Sequence, residues 1–147
     1  MTILRKKFKN MAGQLHISYK SPNPMRNETF PTILIVDDDR DLCTILSRKL
    51  KSIARLHSEG TLAGCLDYLK NKKPTLMLLD NSLPDGFGIS FLKKFSHLFK
   101  GIKIIVITSD TDKGLEGDSL SAGAVFFLSK PFSIQTVTNT VKQALAI

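Results

Sequence analysis

The sequence predicts an α/β fold in which five parallel strands form one sheet with helices wound over both faces. Three observations predict it. Short apolar runs alternate with amphipathic stretches from Thr32 onward. Four of the five runs are strongly apolar, as strands covered on both faces must be. The chain's 147 residues, 42% of them apolar, suffice for one hydrophobic core and are few for two domains of ordinary size.

The elements follow in order. TILIV at 32–36 is the first strand, entered through Pro31. Leu42, Ile45, Leu46 and Leu50 mark an amphipathic helix over 41–51, whose N-terminus Asp39 and Asp41 favour by capping and by their charge. A weaker strand is expected at 54–57, then a helix over 61–72 with Leu62, Cys65, Leu66 and Leu69 on one stripe. TLMLL at 75–79 is the third strand and the stretch 89–99 the third helix. IKIIVI at 102–107 is the fourth strand. The stretch 112–121 is the poorest helix, because Gly114 and Gly117 each cost about 1 kcal/mol relative to Ala, so a short or mobile helix is expected there. VFFL at 125–128 is the fifth strand. Ser133 is a suitable N-cap for a last helix with Ile134, Val137, Val141 and Leu145 on one face.

Residues 1–31 form a separate basic extension to a domain at 32–147. Ser21-Pro22-Asn23-Pro24 breaks regular structure, and Arg5, Lys6, Lys7, Lys9, Lys20 and Arg26 against Glu28 alone account for most of the formal charge of +8. A charge placed in a tail is no ground for reading the whole domain as nucleic-acid binding. Leu4, Phe8, Met11 and Leu15 fall at helical spacing, so a surface helix for an anionic membrane or an acidic partner is the alternative to a disordered extension. Contact of the tail with nucleic acid ranks below that, and a true start at Met25 would make the tail upstream sequence. No apolar run approaches the roughly 18 residues of a membrane span and no secretory signal opens the chain, which places the expected location in the cytoplasm. Cys43 and Cys65 lack the spacing of a redox or zinc motif, and the three histidines share no ligand spacing. Core packing is the expected role of both thiols.

Polar groups stand where the apolar strands run out. Asp37-Asp38-Asp39 follow the first, Asp80 the third, Thr108-Ser109 the fourth, and Lys130 comes just after the fifth. In an open parallel sheet ligands bind at the carboxyl ends of the strands, so these groups are expected to converge. Crowded carboxylates repel and raise one another's pKa unless a cation lies between them. An oxygen-only set without His or Cys suits Mg²⁺. Asp80 ends the most apolar strand and precedes a turn, Leu83-Pro84-Asp85-Gly86, which makes it the candidate nucleophile toward a phosphoryl group. Thr108 and Lys130 supply a hydroxyl donor and a fixed positive charge for the phosphoryl oxygens.

The strings ILIVDDD, LMLLDNSLPDGFG, IIVITS and FFLSKPF, in that order, resemble the four signature segments of bacterial response-regulator receiver domains, and the resemblance covers about residues 32–146. It implies a flavodoxin-like (βα)5 fold with strand order 2-1-3-4-5. It also implies that Asp38, Asp80 and the backbone carbonyl of Ser82 ligate Mg²⁺ while Asp37 holds a metal-bound water. Asp80 would be the phosphoacceptor, Thr108 and Lys130 would bind the phosphoryl group, and the Lys130-Pro131 bond would be cis. Phe127 stands where the family has an aromatic that swings inward with Thr108, with Phe in place of the common Tyr. Ser109, where a small residue such as Ala is usual, and the glycines of the fourth helix are further departures. Ser82 and Asp110 are placed to control water access and so the lifetime of the phosphoryl group.

The function implied is that of a stand-alone member of a two-component phosphorelay. A histidine kinase or histidine phosphotransfer protein donates, and the face of helix 4, strand 5 and helix 5 then changes its affinity for a downstream protein target. No DNA-binding domain is expected. The alternative is a degenerate receiver acting as a constitutive interaction module. A turnover phosphohydrolase is not expected, because the position two residues after Asp80 is Ser82 rather than a second acid.

Overall fold

The computed structural model describes residues 5–9, 15–19 and 30–146. Five parallel strands make the sheet: β1 (Thr32–Val36), β2 (Arg55–Glu59), β3 (Leu76–Asp80), β4 (Lys103–Thr108) and β5 (Phe126–Ser129). Their spatial order is β2-β1-β3-β4-β5, as expected, so the chain reverses its winding direction between β1 and β3. Five helices connect or follow them: α1 (Arg40–Leu50), α2 (Leu62–Leu69), α3 (Gly88–Lys94), α4 (Leu115–Ser121) and α5 (Ile134–Leu145).

Alternate strand residues feed two cores. Ile33, Ile35, Leu76, Leu78, Ile105 and Ile107 pack with Leu46, Leu50, Val137 and Val141 of α1 and α5. Leu34, Val36, Met77, Leu79, Ile104 and Val106 pack on the other face with Cys65, Ile89 and Leu92 of α2 and α3. Burying each such side chain is worth roughly 1.5–3 kcal/mol, and this two-sided burial requires strands without a polar face. Cys43 and Cys65 are buried free thiols inside these cores, the packing role expected of them.

Local signals start the helices. Asp39 accepts from the Leu42 amide, Thr61 from Gly64 and Ser133 from Thr136, each a side-chain N-cap. Helix ends were less legible. The third helix stops at Lys94 rather than 99, and Ser96–Leu98 continues as a 3-10 turn. Ser and His are weak helix formers there, and Phe91, Phe95 and Phe99 pack ring against ring at centroid distances of 5.1 and 5.5 Å without a continuous helix. α2 likewise ends at Leu69, short of residue 72. α4 begins at Leu115 instead of 112, after a turn in which Asp112 Oδ1 accepts from the Gly114 amide. The fifth strand starts at Phe126 and leaves Val125 exposed.

Within the N-terminal extension, Arg5–Lys9 and Leu15–Tyr19 form an antiparallel pair, with Phe8 opposite His16 and Lys9 opposite Leu15. That corrects the helical spacing read at Phe8 and Leu15, since an apolar spacing in so short a stretch does not decide between helix and strand. Leu4 and Met11 lie outside the described residues. Among the described residues, no helix is long and apolar enough to cross a membrane.

Candidate functional site

The parallel sheet delivers its strand ends to one place. Asp37 directly follows β1, Asp80 closes β3, Thr108 closes β4, and Lys130 follows β5. Oxygens of Asp37, Asp38 and Asp80 all lie within 4.8 Å of one another. Asp37, Asp80 and Thr108 are buried, whereas Asp38 is exposed at the mouth. Lys130 bridges the first two: its Nζ donates to Asp37 Oδ2 at 2.9 Å and to Asp80 Oδ2 at 3.4 Å.

Backbone donors hold the remaining oxygens. Asp37 Oδ1 accepts from the Asp39 amide at 2.9 Å, and Asp80 Oδ1 accepts from the Ser82 amide at 3.3 Å. Thr108 Oγ1 accepts from the Asp110 amide at 3.0 Å, which leaves the hydroxyl proton to donate elsewhere. Burial and, after it, the Asp37 charge push the Asp80 carboxyl above its ordinary value, against the opposing pull of Lys130. Burial would lower the Lys130 amine, yet its contacts with Asp37 and Asp80 outweigh that and raise it. Two buried acids thus share one cation, a charge-deficient arrangement that favours a further cation.

The donor set fits a hard divalent ion such as Mg²⁺: three carboxylates in mutual reach, with neither imidazole nor thiolate among them. The Lys130-Pro131 peptide is cis, as expected. Phe127 lies on β5 beside Val106 of β4 and packs, half-buried, on the α2/α3 core. Ser82 is exposed and heads a two-residue ladder in which it pairs with Phe87. The structure therefore brings together Asp37, Asp38, Asp80 and Lys130, keeps Thr108 at the adjacent strand end, and sets Phe127 one strand further along the sheet.

Sequence reasoning overlooked two supporting residues. Asn81 is buried; its Oδ1 accepts from the Ile89 amide at 3.0 Å and its carbonyl from Gly88 at 2.8 Å, which fixes the start of α3 behind Asp80. Asp85 accepts from the amides of Leu62 and Ala63, both at 2.9 Å, and these bonds hold its carboxyl below the usual range. The turn residues around Asp85 were visible in the sequence, but a cap reaching a helix 23 positions away was not. A cleft of ≈ 700 Å³ runs from Asp37 and Asp38 between α1 and the end of β2, past Arg40, Thr44 and Glu59.

A doubly wound parallel sheet with an acid cluster and a lysine at its carboxyl edge defines a site suited to phosphoryl transfer at a divalent cation. The chain belongs to the response regulator receiver domain family, which matches residues 33–142. It is 32% identical over 114 residues to the KDP operon transcriptional regulatory protein KdpE of Escherichia coli, covering 77% of this chain and 50% of that protein. It is 28% identical over 116 residues to sporulation initiation phosphotransferase F of Bacillus subtilis, covering 78% of this chain and 94% of that protein. Among solved structures, the CheY-like response regulator receiver domain protein of Methanospirillum hungatei superposes with a TM-score of 0.75 at 28% identity, over 80% of this chain and 95% of that one. Receiver domains bind Mg²⁺ at an acidic pocket and interact with histidine kinases and phosphotransfer proteins.

Proposed function

We propose that Asp80 is the phosphoacceptor of this receiver, charged by the phosphohistidine of a histidine kinase or histidine phosphotransfer protein. The observation that supports this best is the placing of Asp80 itself: a buried carboxylate at the end of β3, steadied by the Ser82 amide and the Lys130 amine beside two further acids. In the transfer, the phosphorus–nitrogen bond of the donor imidazole breaks and a bond forms from phosphorus to a carboxylate oxygen of Asp80. The electron pair of the broken bond returns to the imidazole nitrogen, which is reprotonated. Asp38, Asp80 and the Ser82 carbonyl are the ligands we assign to Mg²⁺, with Asp37 holding one of its waters. Bound there, the ion supplies neutralisation of the phosphoryl oxygens.

Lys130 then exchanges its contact with Asp80 for one with a phosphoryl oxygen while keeping Asp37, and the free hydroxyl proton of Thr108 is donated to another. Movement of Thr108 draws Phe127 inward along β5, and the face formed by α4, β5 and α5 changes its affinity for a downstream protein. The chain is a switch that accepts a group, not a turnover enzyme. Incubation with Mg²⁺ and acetyl phosphate followed by intact mass measurement tests this. A single phosphoryl adduct is expected on the wild-type chain and none on Asp80→Asn. No adduct on either would favour a constitutive interaction module.

A further inference from the structure

The charge of the folded domain is divided between its two ends. Acids collect at the carboxyl edge of the sheet: Asp37, Asp38, Asp39 and Asp80, with Asp110 and Asp112 beyond β4. At the opposite end, a pair of exposed cations stands at or just before the start of each of β2, β3 and β4: Lys51 and Arg55, Lys72 and Lys73, Lys100 and Lys103. These strand starts adjoin one another. The Arg55 amide donates to Pro31 O at 2.8 Å, the Thr75 amide to Thr32 O at 2.8 Å, and the Lys103 amide to Thr75 O at 3.1 Å.

A structural purpose accounts for part of this charge. Lys103 Nζ donates to the Ala144 carbonyl at the end of α5, and Lys70 pairs with Asp67 at 3.6 Å. Lysines at helix ends also suit the helix dipole. Lys51, Arg55, Lys73 and Lys100 have no acid partner among the described residues, and the ammonium of Lys73 lies beside Gly101, the residue that follows Lys100. Like charges gathered at one end repel one another, and an anionic surface relieves that repulsion.

Two apolar side chains interrupt this basic end. Phe30, just before Pro31, is 44% exposed, and Leu98, in the turn that precedes β4, is 37% exposed. The basic sequence before Pro31 joins the domain between these loops, next to Arg55. Exposed cations together with exposed Phe and Leu at one end of a domain are what an anionic lipid interface selects, since the cations meet headgroups while the apolar groups enter the acyl boundary. Leu98 offers nothing to a phosphodiester backbone, which is why the observations favour a bilayer over a nucleic acid.

We propose that this basic end docks the domain on an anionic membrane surface, with the acidic end and Asp80 turned away from it. The repulsion between the acid cluster and the same surface fixes that orientation. The inference is independent of phosphoryl transfer.

The test is co-sedimentation of the full chain with phosphatidylcholine vesicles, with and without phosphatidylserine. Binding is expected only with phosphatidylserine and is expected to weaken as salt rises. The triple variant Lys72→Glu, Lys73→Glu, Lys100→Glu should bind at least about tenfold more weakly. Leu98→Ser should weaken vesicle binding several-fold and leave binding to a DNA duplex unchanged. Circular dichroism melting shows that each variant is folded. Failure to bind phosphatidylserine vesicles overturns the proposal, as does full binding by the triple variant, which would assign the contact to the N-terminal extension. Tighter binding to the duplex than to vesicles at equal salt, with no effect of Leu98→Ser on either, also overturns it.

Discussion

The two sides of the candidate site are built to different standards. Behind Asp80, α3 buries Gly88, Ile89, Phe91 and Leu92, and Asn81 ties its first turn to the end of β3. On the far side, α4 buries only Ser119, has no side-chain N-cap, and leaves Leu120 exposed. The acceptor is thus mounted on a buried frame, while the neighbouring helix buries a single residue. Precise chemistry needs preorganised groups, whereas a surface that must change needs a low energy difference between its states.

Two glycines sharpen this contrast, because the same substitution is expected to act in opposite directions. At Gly88 an added Cβ would meet the Asp80 carbonyl oxygen at 2.6 Å and Leu79 Cγ at 3.0 Å. Gly88→Ala should therefore destabilise the domain by about 3 kcal/mol, measured by urea unfolding, and slow phosphoryl uptake by displacing Asp80. Equal stability would show the frame to be softer than its packing implies.

A second effect arises within the acid cluster. Because the Asp80 carboxyl is raised in the folded state, the fold holds that proton more tightly than the unfolded chain does. Asp80's own contribution to wild-type stability should fall as pH rises above the ordinary aspartate value of 3.8. Asp80→Asn should then be the more stable protein at neutral pH in metal-free buffer. The advantage should vanish below that value, where Asp80 is protonated in both states. Thermal melts across pH check the sign. Millimolar Mg²⁺ should raise the melting temperature of the wild type and leave the variant unchanged.

On the α4 side the expected effects are small. Nothing lies within 4 Å of a Cβ built on Gly117, so Gly117→Ala should stabilise by roughly 0.5–1 kcal/mol. If α4 must loosen or order for signalling, that substitution should also change partner binding while leaving phosphoryl uptake alone. Amides of α4 should exchange faster than those of α3 in hydrogen exchange.

Strands and their ends were more legible than the helices between them. Apolar runs announced the strands because two-sided burial admits no polar alternation, and the convergence of Asp37, Asp80 and Lys130 followed from strand ends in a parallel sheet. The glycines at 114 and 117 announced a short α4. What could not be read depends on tertiary partners. The stop of α3 at Lys94 reflects packing among three phenylalanines, the single lysine shared by two acids reflects distances across the sheet, and the strand pairing of Arg5–Lys9 with Leu15–Tyr19 overrode a spacing compatible with a helix.

The carboxylate of Asp85 joins the turn after Asp80 to the first amides of α2. Opening of that turn must break both bonds, so the turn and the end of α2 move as one cooperative unit. The amide resonances of Leu62 and Ala63 would then act as reporters, shifting when the acceptor's turn rearranges because both amides bond to Asp85 of that turn. Acid would uncouple them, since a carboxyl held below its usual range contributes this link above its unfolded pKa and loses it as pH falls through the folded one.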